Sequence, residues 1–318
     1  MNKTAYILLL LFIANTVFGI SPKYSIKTKG NVTDLIFESN KLYVSTDNGS
    51  ICVFSIPSKK LLKTYSFANI KDFAGDNIAP KVYDIDKITG KNIIVSVSQG
   101  MRGFSNVFIT KDGVSVKIIT DIKSKLMIKK VKFIGENKVL LGLLSNEIVL
   151  YDIINKKEIY RKQISAYTFS DIVLNKAKTK IITADESGII HLIDAKTGNS
   201  IKELSGNNVD NVYQIDFKGN IIVCGGQDRR FSVYNISTHK SYYLSSSFLI
   251  YSVGLSPTGK YAGYYCNEDN DVKVINTASK SEVAILNGHD ATLTKILFIS
   301  DTKIFTGAEE NVVYYWEF

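Results

Sequence analysis

Short apolar runs, each closed by a polar turn, recur from about residue 30 to the C-terminus. Ile148–Tyr151 and Ile189–Ile193 are near-continuous apolar stretches rather than clean alternations, as expected of strands covered on both faces. No apolar pattern at a spacing of about 3.6 persists for three turns, so a helical reading fails. The stretch Gly288–Phe318 shows the recurring unit most fully. Gly288-His289 opens it, a strand, a turn and a second strand follow, and after an acidic turn at Glu310-Asn311 the last strand closes on Trp316-Glu317.

Aligning earlier units on that closing pair gives Phe54-Ser55, Ile109-Thr110, Tyr151-Asp152, Ile193-Asp194, Tyr234-Asn235 and Ile275-Asn276, at intervals of 55, 42, 42, 41, 41 and 41 residues. The long first interval contains an extra polar, Gly/Pro-punctuated segment, Ala68–Pro80. Turn chemistry recurs at Ser256–Lys260, Asn175–Lys180, Lys218–Asn220 and Gly135–Lys138, and again at Asp47–Gly49, Glu186–Gly188 and Asp228. The unit resembles a WD40 repeat, four short strands forming one propeller blade. The fold expected is all-β, a seven-bladed WD40-like β-propeller. The last unit stops after its third strand, and Lys23–Lys29, alternating polar with apolar, is available to pair beside Val312–Trp316 and close the ring.

In WD40 blades a His, a Ser/Thr, an acid and a Trp form a hydrogen-bonded row. The resemblance implies that row for His289, Thr306, Glu310 and Trp316, a structural role. The fifth unit keeps part of the pattern, including Asp228, whereas the others have lost the His and the Trp.

Residues 1–19 read as a secretory signal peptide, with Lys3 ahead of the apolar Ile7–Ile13 and Val17–Gly19 at the cleavage site, leaving 20–318 as the propeller. Export changes the meaning of the net charge of +9. Removing 1–19 takes one of 39 basic residues and none of the 30 acidic ones, leaving +8. Nucleic acid is not the expected partner outside the cytoplasm; an acidic protein or an anionic surface suits the charge better. Lys129, Lys130, Lys132, Arg229 and Arg230, with Lys156-Lys157 and Arg161-Lys162, are candidates for a docking face.

Enzymatic motifs weaken on inspection. Gly254–Lys260 imitates a phosphate loop, but Tyr261 replaces the Ser/Thr that would follow the lysine. Ser45–Gly49 resembles a sialidase Asp-box only once, and Asp194–Gly198 resembles a quinoprotein turn in a chain with a single Trp. His191, His239 and His289 fall in different units, and no G-x-S-x-G elbow occurs. Cys52, Cys224 and Cys266 are widely spaced within apolar runs and read as buried free thiols. No metal or cofactor is expected. Asp34, Asp84, Lys132, Asp171, Asp216 and Lys295, near the starts of innermost strands, are expected to line the central channel.

Two classes of function follow. One is a non-enzymatic, monomeric platform for protein partners, because blade interiors are consumed by packing and loops remain for recognition. In this class the exported propeller is similar to the NapL family of periplasmic nitrate reductase accessory proteins. That resemblance implies a role in maturing the reductase or sustaining its electron supply, without holding molybdenum cofactor or haem. The other class is a hydrolase or lyase using channel acids such as Asp84 or Asp216. A scaffold for outer-membrane assembly is a further reading, against which the lack of a lipid-anchor cysteine speaks.

Overall fold

A computed structural model describes residues 19–318; the expected signal segment lies outside them except for Gly19. The chain forms a β-propeller of seven blades, each an antiparallel sheet whose first strand is innermost and fourth outermost. The first six blades occupy 32–66, 82–119, 128–163, 169–204, 212–245 and 253–286. The seventh is built from Leu293–Phe298, Lys303–Ala308 and Val312–Glu317, and Tyr24–Lys27 supplies its outermost strand.

That closure has a defined register, Tyr24 opposite Tyr315 through Lys27 opposite Val312. Ile26 is buried, and the rings of Tyr24 and Tyr315 stack 4.7 Å apart. Just upstream, Gly19–Ile20 runs parallel to Glu282–Leu286 on the sixth blade, so the N-terminal segment binds two blades in succession. Pairing the terminal strands covers two edges that would otherwise present unmatched N–H and C=O groups.

Middle strands such as Lys41–Thr46 and Lys180–Asp185 are buried along almost their whole length, since neighbouring blades cover both faces. The core is accordingly a series of apolar layers between blades. One joins Val44 and Cys52 of the first blade to Phe305 and Val313 of the seventh. Outermost strands such as Lys60–Ser66 are mostly exposed, which explains their polar sequences.

The ladder visible in the sequence marks the ends of the third strands, and its polar member has a physical task. Asp152, Asp194, Asn235 and Asn276 each accept two backbone N–H bonds from the following turn through Oδ1, at 2.8–3.1 Å. A short side-chain acceptor at that point builds the turn leading to the outermost strand. Gly188 is needed at a similar turn because its φ is 80° and an added Cβ would sit 3.0 Å from the Asn208 backbone. Ser256–Gly259, the imitation phosphate loop, is a strand-to-strand turn closed by Gly259 N–H to Ser256 C=O at 2.8 Å.

Irregular structure gathers at one end of the ring, where innermost strands begin. A small hairpin, Ile70–Lys71 with Asn77–Ile78, rises from the 68–80 insertion. A 3-10 turn at Met101–Gly103 and a helical turn at Asp121–Ser124 lie at the same end, whereas the opposite end carries compact turns.

Candidate functional site

Around the central channel the innermost strand of every blade but the sixth starts with a bulge. It shifts the register, for example between Val32 and Asp34, Ile128 and Lys130, and Val212 and Gln214. The residues just after it project toward the neighbouring blade. Asp84 accepts the Val131 N–H of the third blade at 2.8 Å and the Lys132 ammonium at 2.9 Å. Lys130 bridges Asp84 at 3.5 Å and Asp171 of the fourth blade at 3.4 Å. Asp171 takes the Ile215 N–H of the fifth blade at 3.1 Å.

Gln214 then spans three blades. Its carbonyl accepts the Val253 N–H at 2.9 Å, and its amide donates to the Thr294 carbonyl at 3.1 Å. Asp216 accepts the Leu255 N–H at 2.9 Å and the Lys218 ammonium at 2.7 Å. Lys295 closes the circuit on Asp34 at 2.9 Å. Where the sixth blade meets the seventh, Gly254 stands in place of a side chain; a Cβ there would lie 2.4 Å from the Ile296 carbonyl oxygen.

These charges are held in place by their neighbours. Burial acts to raise Asp34, but Lys295, Lys132 and Lys130 outweigh it and hold the carboxyl well below the usual range. At Asp84 burial prevails over its lysines and pushes the carboxyl up to about 6. Burial works to lower Lys130 and Lys132 and is overcome by the surrounding aspartates, which raise both. At Asp216 burial is opposed by Lys218 and the Leu255 N–H, which lower it. Asp84 and Asp216 therefore have their oxygens occupied by ammonium and N–H donors, and the channel is a ring of latches between blades.

Lys130, assigned from sequence to a basic docking face, and Lys132, assigned both to that face and to the channel lining, point into the channel past the bulge and meet Asp84. Lys129 instead lies over the Tyr83 ring at 5.4 Å. Arg230 stacks on Tyr243 at 4.4 Å and donates to the Asn207 carbonyl at 2.9 Å, while Arg229 is exposed in the adjacent turn. Arg161 is engaged by Glu147 and Glu158. Lys129, Lys130, Lys132, Arg161 and Arg230 are thus engaged in contacts within the ring, whereas Arg229, Lys156 and Lys157 are exposed.

In the seventh blade Trp316 Nε1 donates to Thr306 Oγ1 at 2.8 Å, and Thr306 Oγ1 meets His289 Nε2 at 2.6 Å. His289 Nδ1 reaches Glu310 at 2.5 Å. Because the Thr oxygen already accepts from the indole, its own proton goes to Nε2, and Nδ1–H donates to the carboxylate. The row is continuous and fully used, with Trp316 completely buried. In the fifth blade Asp228 accepts from Asn208 Nδ2 at 3.3 Å and from the Val209 N–H at 2.9 Å.

The fourth blade contains a polar hub that sequence reading missed. Asp185 collects Asn146 Nδ2 and Ser165 Oγ, each at 2.8 Å, and faces His191 Nε2 at 3.3 Å. Burial opposes its charge, but His191, Ser187 and Ser165 hold it well below the usual range. The three histidines remain apart, and among the described residues no group of three or more His, Cys, Asp or Glu is arranged to hold a metal. Cys52, Cys224 and Cys266 are free and buried, and burial pushes the Cys266 thiol up to about 11.

Comparison with known proteins bears on the fold. No family model matches the sequence, and no curated protein does. The structure is similar to the crystal structure of the Cps50 (Swd1) β-propeller domain of Myceliophteria thermophila, with a TM-score of 0.75 and 14% identity over 93% of this chain and 99% of that one. The likeness carries the WD40-like seven-bladed propeller architecture.

Proposed function

We propose that the protein is an exported, non-enzymatic platform that docks other proteins on its loop-bearing face, as an accessory factor of periplasmic nitrate reductase. The observation carrying this reading is a division of labour between channel and face. The channel acids are spent on joining blades, whereas the face presents unspent apolar groups. Phe73 at the tip of the inserted hairpin is 96% exposed. Exposed Met127 lines an apolar pocket of about 440 Å3 together with Leu126, Leu143 and Leu144. A rigid ring offering a projecting aromatic and an apolar pocket suits a protein surface, with Phe73 as the anchor.

Purified periplasmic nitrate reductase immobilised on a sensor provides the test. Wild-type protein should bind saturably, and Phe73→Asp should lose at least about tenfold in affinity, near 1.4 kcal/mol. Absence of binding would remove the reductase from the reading, and full binding by Phe73→Asp would remove the hairpin from the docking face. Export is tested separately: an epitope at the C-terminus should be recovered in the periplasm from the full chain, and in the cytoplasm from one lacking residues 1–19.

A further inference from the structure

Away from the loop-bearing face, a cleft of about 470 Å3 opens between the first and second blades. Its walls carry Lys41, Tyr43, Lys63 and Tyr65, and Val53 and Leu62 contribute apolar surface. Tyr43 and Tyr65 are only 4% and 7% exposed, yet neither hydroxyl is bonded to another described residue, and both line the cleft. The rings are buried while their hydroxyl oxygens open to the cleft, so two donors with no partner among the described residues face one cavity.

The charge balance has the same sense. Glu38 is the acid on the wall, and it is already held by the Lys87 ammonium and by the Gly90 N–H at 2.9 Å. Lys87 spends its remaining donors on the carbonyls of Ile88 and Lys91, and Lys91 turns to Glu136. Asp112, near Tyr65, is within 3.5 Å of the Asn92 amide. Lys41 and Lys63 have no carboxylate partner among the described residues, and the Lys63 ammonium lies 5.0 Å from the Tyr65 ring centre. Burial foremost, then Glu38 and Tyr65, pushes Tyr43 up; burial and then Asp112 do the same for Tyr65. Both phenols keep their protons and serve as donors.

We infer that this cleft binds a small organic oxyanion, a carboxylate or phosphate group carried on a short apolar body. The two hydroxyls and the two free ammonium groups would take the oxygens, and Val53 and Leu62 would receive the body. The site is independent of the docking reading, since it uses none of the same residues.

Calorimetry on the full chain with phenyl phosphate, benzoate, inorganic phosphate and phenol tests the inference. Phenyl phosphate or benzoate should bind saturably, more tightly than phenol, and more weakly as salt is raised. Comparing the two separates a phosphate from a carboxylate preference, and inorganic phosphate alone should bind more weakly than phenyl phosphate. Tyr43→Phe/Tyr65→Phe keeps the rings and should weaken binding at least about tenfold. Lys41→Ala/Lys63→Ala, on exposed residues, should also weaken binding and flatten its salt dependence. The inference is overturned if neither anion binds, if phenol binds equally well, or if both double variants bind like wild type.

Discussion

The seventh and fifth blades set different side chains on the same strand grid. Ile304 opposite Trp316 and Thr306 opposite Tyr314 correspond to Ile222 opposite Tyr234 and Cys224 opposite Ser232. Cys224 therefore stands where Thr306 does, Tyr234 where Trp316 does, and Asp228 where Glu310 does, with Asn208 meeting the acid as His289 does. The seventh blade runs one unbroken chain of donors from indole to carboxylate. In the fifth the chain is cut at Cys224, and the acid gathers the N–H groups of Val209 and Arg230 at 2.9 and 3.0 Å. What the two blades share is an acid tying the second turn to the segment entering the blade. The middle of the row is replaced by packing in the fifth blade, at the cost of a Tyr234 hydroxyl left without a partner.

The seventh blade differs in a second respect, since its outermost strand comes from the other end of the chain. The largest expected effect follows from removing residues 20–29. That deletion exposes the Val312–Glu317 edge and should give aggregated protein, or protein cut rapidly by limited proteolysis. A shortened chain that stays monomeric with unchanged melting would show that the blade holds without its borrowed strand.

Next come substitutions inside the row. Trp316→Ala should cost about 3–5 kcal/mol in urea unfolding through cavity formation in a fully buried site. Thr306→Val, close in volume, strands the Trp316 N–H and His289 Nε2 and should cost about 1–3 kcal/mol. Cys224→Val at the matching place strands nothing and should cost less than about 1.5 kcal/mol. Equal losses at Thr306 and Cys224 would erase the distinction between a hydrogen-bonded and a packed blade. Asp228→Ala should cost about 0.5–1.5 kcal/mol, because the Val209 and Arg230 N–H groups it leaves are exposed or half-buried and water can replace part of what is lost.

The repeat was legible because its period is enforced locally: an Asp or Asn at the end of a third strand makes a turn that any alignment can find. Closure by the N-terminal strand was legible because the last unit visibly lacks its fourth strand. The channel was only partly so. Asp34, Asp84, Asp171 and Lys295 were placed at its lining from sequence, but Lys130 was assigned to an outer face and Gln214 was overlooked. Lys130 and Gln214 stand two residues before Lys132 and Asp216, past the bulge and on the same face, so each of these strands lends the channel two side chains where the sequence reading assigned one. The cleft of Tyr43 and Tyr65 was invisible for another reason. It joins a second strand, a fourth strand and the first turn of the next blade, and no motif spans such distances.

The smallest expected effect gives the finest reading of the comparison. Tyr234 is almost fully buried, and its hydroxyl has no partner at hydrogen-bonding geometry. Tyr234→Phe removes that oxygen and keeps the ring, so unfolding free energy should change by no more than about 0.5 kcal/mol, or rise slightly. A loss above about 1 kcal/mol would mean that the hydroxyl is bonded after all, the nearby Asn207–Asn208 backbone being the place to look. The fifth blade would then carry a hydrogen-bonded row of its own, ended by tyrosine instead of tryptophan, and the contrast with the seventh would lie in the residues used rather than in the device.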